Sequence, residues 1–444
     1  MQSSLAAKRT RPSPCAGAAP TAGGGARFGG LDALRGLAVI GGVLLHACVA
    51  YMPSRMPNLL WPVHDAETTP VCHVVFWWLH CFRLPLFFFI SGFFAEMMCE
   101  VRGANAFLKH RIQRIAIPYH VFLVTLMPFT LAIWIGGLFI SERCTLDQVF
   151  SFTVPFDPEV QDHYFGPGHL WFLADLVIIS VTFALLRREF RSQNAEKLLA
   201  KFALRHRAWS PLWLAIPSML LLWGNPSPYV GHNNTFIPDT ARLSYYGLYF
   251  VAGAIAFRRK GEFLELVRYP WLHLPLSLLA TAAALIFLPG ELSGRSTTFN
   301  RFLLSLSVTL AAWLSICGLM AVFLRNWKQN HRIFRYLADA SYWVYVVHLP
   351  LVGLANIALR EWPIGAFAKF LATSFITLSV AFLSYQACVR YTWIGRALHG
   401  LRARDAGGDE PSDQRDRNRD GAGQIRISDD AGQPAPDLPP AAAA

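Results

Sequence analysis

Mostly apolar runs alternate with short polar segments along the whole chain, near residues 31–52, 73–98, 117–140, 169–186, 210–224, 243–257, 271–289, 302–324, 335–358 and 368–389. A hydrocarbon core about 30 Å thick is crossed by roughly 20 apolar residues in a helix, where every backbone group is satisfied internally. Leu303–Leu324 holds no charged residue at all. Runs of this length and number predict an all-α fold, a polytopic bundle of about ten transmembrane helices. The runs at 210–224 and 243–257 are the shortest, and the first of them contains Pro211 and Pro217.

The distribution of charge sharpens this picture. Of the 40 Lys and Arg, 31 fall in six alternate segments (1–30, 102–116, 187–208, 258–270, 325–335 and 390–444) and seven in the five segments between them. Arg35 and Arg83 lie within apolar runs. Basic residues concentrate in cytoplasmic loops, so the alternation predicts ten spans with both termini cytosolic. It also accounts for the formal net charge of +12 without nucleic acid, because no single basic face collects these residues.

Composition narrows the classes further. Only 15% of residues are charged against 54% hydrophobic, where a soluble domain carries about a quarter charged. The eight cysteines are scattered, with no CxxC pair and no metal-ligand spacing, so neither zinc nor a disulfide framework is expected. Cys72 and Cys144 both fall on segments expected outside, where they could pair. Residues 1–27 read as a disordered basic arm and not a signal peptide, residues 28–395 as the membrane domain, and residues 396–444 as a disordered polar tail. The outer loop 141–168 is acidic and aromatic, and the loop 224–242 is polar and carries the sequon Asn233-Asn234-Thr235. These two are where an external polar substrate is expected to touch the protein.

An ionisable side chain within a span needs a partner, a wet cavity or a function. Arg35 and His46 are eleven residues apart in the first run, three turns and about 16 Å of helix, on one face. They fit a general base facing a channel, or equally a packed histidine with a snorkelling arginine. Arg83 lies deep in the second run just before Pro85, which is expected to break the helical bonding locally and free carbonyls for Arg83 to cap, as a structural arginine holding a kink; substrate contact is the equal alternative. Arg111 and Arg114 share a face at the cytosolic end of the third run and suit a phosphate-bearing ligand, although positive-inside topology explains them as simply. His169 and Trp171 open the fourth run after Gly166-Pro167-Gly168, as an acceptor pocket or as interface anchors. His348 follows Ser341 and Tyr345 on nearly one face, which favours a supporting role.

Taken together, Leu-Asp-Ala-Leu-Arg-Gly-Leu-Ala at 31–38 completed by His46, Phe-Arg-Leu-Pro-Leu-Phe-Phe-Phe-Ile-Ser-Gly-Phe at 82–93, Arg-Ile-Gln-Arg-Ile-Ala-Ile-Pro-Tyr at 111–119 and Ser-Tyr-Trp-Val-Tyr-Val-Val-His at 341–348 resemble the acyltransferase-3 family of membrane acyltransferases. The resemblance covers nearly all of residues 28–395. The Gly-His-Leu-Trp-Phe-Leu stretch at 168–173 brings it nearest to the branch that succinylates periplasmic glucans. The resemblance implies an O-acyltransferase of the bacterial inner membrane, with a cytosolic acyl-CoA donor (acetyl-CoA or succinyl-CoA), an extracytoplasmic carbohydrate acceptor and no permanently bound cofactor. It places His46 and Arg35 in catalysis and Arg111 and Arg114 in donor binding or the active-site network. It leaves Arg83, His169, Trp171 and His348 as substrate-binding candidates without fixed roles. The contrasting reading is a proton-coupled secondary transporter of a small polar or anionic substrate. No paired half-sequences with matching broken helices support it, and Asp175 and Glu96 are among the few acidic residues near the spans.

Overall fold

The computed structural model describes residues 29–151, 166–187, 207–230, 234–326 and 332–399. All of them belong to one compact unit, Phe28–Arg404. The arm at 1–27, nearly all of the tail expected from 396, Asn233 of the sequon and most of the acidic-aromatic stretch of loop 141–168 lie outside the described residues.

Helices make up most of the described residues, with no strand among them. α1 (Gly29–Cys48) runs on through a 3₁₀ turn, Val49–Tyr51, and α2 (Pro70–Arg102) is the longest at 33 residues. α3 (Ala104–Arg111) passes through a π turn, Ile112–Ala116, into α4 (Ile117–Ile140), and α5 (Leu146–Phe150) is a short surface turn. A 3₁₀ turn at Gly168–Leu170 opens α6 (Trp171–Leu185), followed by α7 (Ser210–Trp223), α8 (Thr240–Arg258) and α9 (Lys260–Leu266). α10 (Pro270–Leu292), α11 (Thr298–Asn326), α12 (Arg332–Leu359), α13 (Ala366–Ser384) and α14 (Trp393–His399) complete the order.

Among the described residues, eight helical segments are long and apolar enough to cross a membrane, and the chain is an integral membrane protein. Helices stand at all ten expected positions, but two differ in character from the other eight. α7 has 14 residues, about 21 Å of helix against a core of about 30 Å. α8 carries three tyrosines, Arg242 and Arg258, and buries Arg242, Tyr245, Tyr246, Tyr249 and Phe250 among its neighbours. A helix enclosed by other helices needs partners for its polar groups more than it needs an apolar surface.

Close backbone approach explains where α8 sits. A Cβ added at Gly92 of α2 would collide with the carbonyl oxygen of Phe250, and one added at Gly253 of α8 with that of Phe89. The two glycines lie three residues from each other's obstacle, so the helices touch backbone to backbone. Lipid tails are as apolar as leucine, so such packing, and not apolar burial, drives helix association in a bilayer. Buried ion pairs reinforce it. Asp175 of α6 meets Arg242 of α8 at 2.9 Å, and Glu96 of α2 lies 2.9 Å from Arg187 and 3.6 Å from Arg258. The two acidic groups noted in the sequence are thus neutralised in place. α1 and α11 are the most enclosed spans, while α4 and α10 lie at the periphery.

Two expectations are corrected. Arg83 does not cap carbonyls freed by Pro85: α2 carries the proline within its span from Pro70 to Arg102, and no hydrogen bond from Arg83 to a carbonyl accompanies it among the described residues. Membrane helices tolerate proline where neighbouring helices enclose it, and Pro85 is buried. Cys72 and Cys144 are both free and do not bond to each other. The Cys72 thiol faces Cys48 of α1 instead.

Candidate functional site

One cavity of about 410 Å³ runs through the bundle, and Arg35, His46, Arg83, Arg111, Arg114, His169, Trp171 and His348 all line it. These residues come from α1, α2, α3, the π turn, the 3₁₀ turn and first residue of α6, and α12, so only the packing brings them together. Arg35 and His46 both reach the cavity from α1, which means that it follows that helix for about 16 Å. Among the described residues no aspartate or glutamate lines it, whereas five arginines and five histidines do. A cavity with that balance, enclosed by low-dielectric helices, attracts anionic ligand groups.

The α1 face is built at helical spacing. Arg35, Val39 and His46 point into the cavity, and at Gly42, one turn before His46, the face is taken by the guanidinium of Arg83 from α2. A Cβ at residue 42 would fall on Arg83 Nη1. Glycine at this position lets an arginine from the neighbouring helix stand between Arg35 and His46. Arg83 pairs with no carboxylate and donates no hydrogen bond among the described residues, and its Nε is buried without a partner. Such an isolated guanidinium is costly within a bilayer.

The other arginines are engaged by the protein. Arg35 bonds the Ala338 carbonyl of α12 at 3.3 Å and lies 3.4 Å from Asp32, so it bridges two helices and does not snorkel freely. Arg111 lies over the Phe107 ring at 5.0 Å and donates to the Ser91 carbonyl at 3.4 Å. Arg114 donates to the carbonyls of Arg396 and Ala397 at 2.6 Å. These are carbonyls in the last turns of α14, where a helix leaves acceptors unsatisfied and favours a cation. The π turn that carries Arg114 is a break in α-helical register of the sort that recurs at functional sites.

Three imidazoles cluster, with His348 between the other two. Its ring lies 5.0 Å from that of His46 and 5.3 Å from that of His169. His169 bonds the Val346 carbonyl through Nε2 at 2.9 Å, and Tyr345 donates its hydroxyl to the His169 carbonyl at 2.6 Å. The Ser341–Tyr345–His348 face of α12 is therefore tied to the turn that opens α6. Trp171 lies beneath the Arg242 guanidinium, 4.3 Å from its ring centre, and stacks on Tyr246 at 6.0 Å.

Several cavity residues escaped the reading of the sequence. Trp61, from the segment between α1 and α2, inserts beside His46 with ring centres 6.1 Å apart. Its indole N–H donates to Asn356 Oδ1 at 3.1 Å, and the Asn356 amide donates in turn to the Tyr51 hydroxyl at 3.2 Å and to Thr373 at 3.4 Å. An asparagine within the apolar run of α12 was the available signal. Arg242, counted in an outer loop from its charge, lines the cavity from α8, as does Tyr246. Among the described residues no group of three or more His, Cys, Asp or Glu is placed to hold a metal ion.

The family model described as Acyltransferase domain matches residues 28–386. The chain is 23% identical over 379 residues to "Glucans biosynthesis protein C" of Escherichia coli O157:H7 (strain EC4115 / EHEC), covering 81% of this chain and 91% of that protein. It is 22% identical over 379 residues, with the same coverage, to the protein of that name from Escherichia coli (strain K12). No solved structure matches.

Proposed function

The chain belongs to the acyltransferase-3 family, and from that premise we propose that it moves an acetyl or succinyl group from cytosolic acyl-CoA to a hydroxyl of an extracytoplasmic carbohydrate such as a periplasmic glucan. In this reading α7 and α8 complete ten crossings of a bacterial inner membrane, and both termini are cytosolic. The observation that carries the proposal is the single cavity that joins Arg111 and Arg114 to His46.

The donor's phosphates lie toward Arg111 and Arg114, as planar guanidinium forks suit phosphate oxygens. Its thioester extends along the α1 face past Arg35. The acceptor hydroxyl enters from the far side and attacks the thioester carbonyl, forming the new C–O bond while His46 takes the hydroxyl proton. The tetrahedral oxyanion is stabilised by Arg83, whose guanidinium is not spent on any carboxylate. Collapse breaks the C–S bond, the ester departs with the acceptor, and His46 returns the proton to the thiolate.

A labelled acyl donor supplied to membranes containing the full chain tests this. His46→Ala should leave the protein folded and lower acyl transfer by about 10²–10⁴-fold. Transfer at the wild-type rate in that variant removes His46 as the base, and passage of unmodified substrate without label on it returns the transporter reading.

A further inference from the structure

His169 and His348 line the cavity, and each uses one ring nitrogen on a backbone carbonyl and leaves the other without a protein partner. His348 Nδ1 lies 2.6 Å from the Tyr345 carbonyl and His169 Nε2 lies 2.9 Å from the Val346 carbonyl. A carbonyl oxygen only accepts, so both of these nitrogens carry the hydrogen. That leaves His348 Nε2 and His169 Nδ1 as lone pairs in the neutral rings. Both atoms are buried with no protein partner, on residues 3% and 7% exposed, and both residues line the cavity. A second proton on either ring would bury an N–H with nothing to receive it, which burial penalises.

Two acceptor nitrogens, held in nearly perpendicular rings 5.3 Å apart, call for a ligand that brings at least two donors. A metal ion would use such lone pairs as well, but the surrounding described residues supply no group of three ligands. The thioester and phosphates of an acyl donor present acceptors, not donors, to these atoms. Hydroxyl groups on neighbouring carbons of a sugar ring present what the pair lacks.

We propose that His169 Nδ1 and His348 Nε2 form a hydroxyl-binding subsite that grips two neighbouring hydroxyls of one pyranose ring of the acceptor, beside His46. The proposal rests on reading the cavity as the meeting place of donor and carbohydrate acceptor. In it, His169 and His348 orient the sugar, and the hydroxyl that reacts is the one this grip leaves facing His46. The ring separation of 5.0 Å between His46 and His348 keeps gripped and reacting hydroxyls on one sugar.

The test uses the purified full chain without any acyl donor, with methyl β-glucoside and its four monodeoxy counterparts as probes and tryptophan fluorescence as readout. His348→Asn keeps an amide N–H toward the Tyr345 carbonyl and removes the Nε2 acceptor; His169→Gln keeps an N–H toward the Val346 carbonyl and removes the Nδ1 acceptor. Each variant should bind the glucoside roughly 3- to 10-fold more weakly. Two of the monodeoxy sugars should show the same loss on the wild type and none on the matching variant. Equal affinity in wild type and both variants, or a wild type that binds no member of the series, overturns the subsite. If a variant fails to fold, the wild-type series decides: monodeoxy sugars that all bind as tightly as the parent also overturn it. Because no donor is present, this result stands apart from the His46 test, which reads transfer alone.

Discussion

His46 of α1 and His348 of α12 face each other with ring centres 5.0 Å apart, although one helix opens the described chain and the other lies near its end. Arg83 enters the same space one turn below His46, through the gap left by Gly42. The candidate site is thus an assembly of side chains from separate helices, most of them held by a backbone carbonyl or, for Arg83, admitted by a neighbour's missing side chain. That arrangement makes specific demands on residues that never touch a substrate.

Gly42→Ala places a methyl group on Arg83 Nη1. Alanine favours helix by about 1 kcal/mol over glycine, so a free helix would be strengthened. Here the arginine must move, and acyl transfer should fall at least tenfold while the protein still folds. Adding Arg83→Ala should relieve the collision and raise the melting temperature above that of Gly42→Ala alone, without restoring transfer. Full activity in Gly42→Ala would show that Arg83 has no positional role.

Asn356→Leu removes the amide that receives the Trp61 indole N–H and donates to Tyr51 and Thr373. A buried donor left without its acceptor costs about 1–3 kcal/mol. The expected result is a lower melting temperature, altered tryptophan emission and reduced transfer, since Trp61 packs beside His46. Unchanged emission with reduced transfer would mean that Asn356 acts by another route.

Asp175 and Arg242 are 2% and 5% exposed at their side chains and form a two-point pair. Removing one partner of such a buried pair costs about 3–5 kcal/mol, whereas replacing both with apolar residues of similar size is often neutral. Asp175→Ala should therefore destabilise strongly, and the double change Asp175→Leu with Arg242→Met should recover most of that loss in thermal unfolding. Transfer should remain low in the double variant, because Arg242 also covers Trp171 in the cavity.

His64 lies in the loop between α1 and α2, where burial, then Arg55 and Arg143, pull its imidazole from 6.5 down to about 4. The unfolded chain takes up a proton below about pH 6.5 that the folded loop refuses. The contribution to stability is complete above that pH and is lost progressively as pH falls toward 4. The melting temperature of the purified protein should drop across this window, and His64→Gln should flatten the slope. An identical slope in the variant would assign the pH dependence elsewhere.

Periodicity and charge made the membrane character legible. A run such as Leu303–Leu324 has one inexpensive place to be, and arginines and lysines gather where water is. The ionisable residues inside runs were also legible, because each breaks a strong local rule: Arg35, His46, Arg83 and His348 stand out against leucine and phenylalanine. Residues whose surroundings in sequence were unremarkable gave less away. Trp61 drew no notice and Arg242 counted only as a loop charge, since nothing local records that Asn356 and Asp175 await them.

By itself the chain's order of residues determined the helices, their apolar character and the short roster of groups too polar to face lipid, because these follow from the bilayer as solvent and need no knowledge of neighbours. Only the tertiary structure decided that those groups share one cavity, which arginines are already engaged, and which imidazole nitrogens are left as acceptors. Contacts such as Gly42 with Arg83, Trp61 with Asn356 and His348 with His46 join helices far apart along the chain. Their geometry depends on backbone approach and hydrogen-bond direction between helices, which no local pattern of polar and apolar positions encodes.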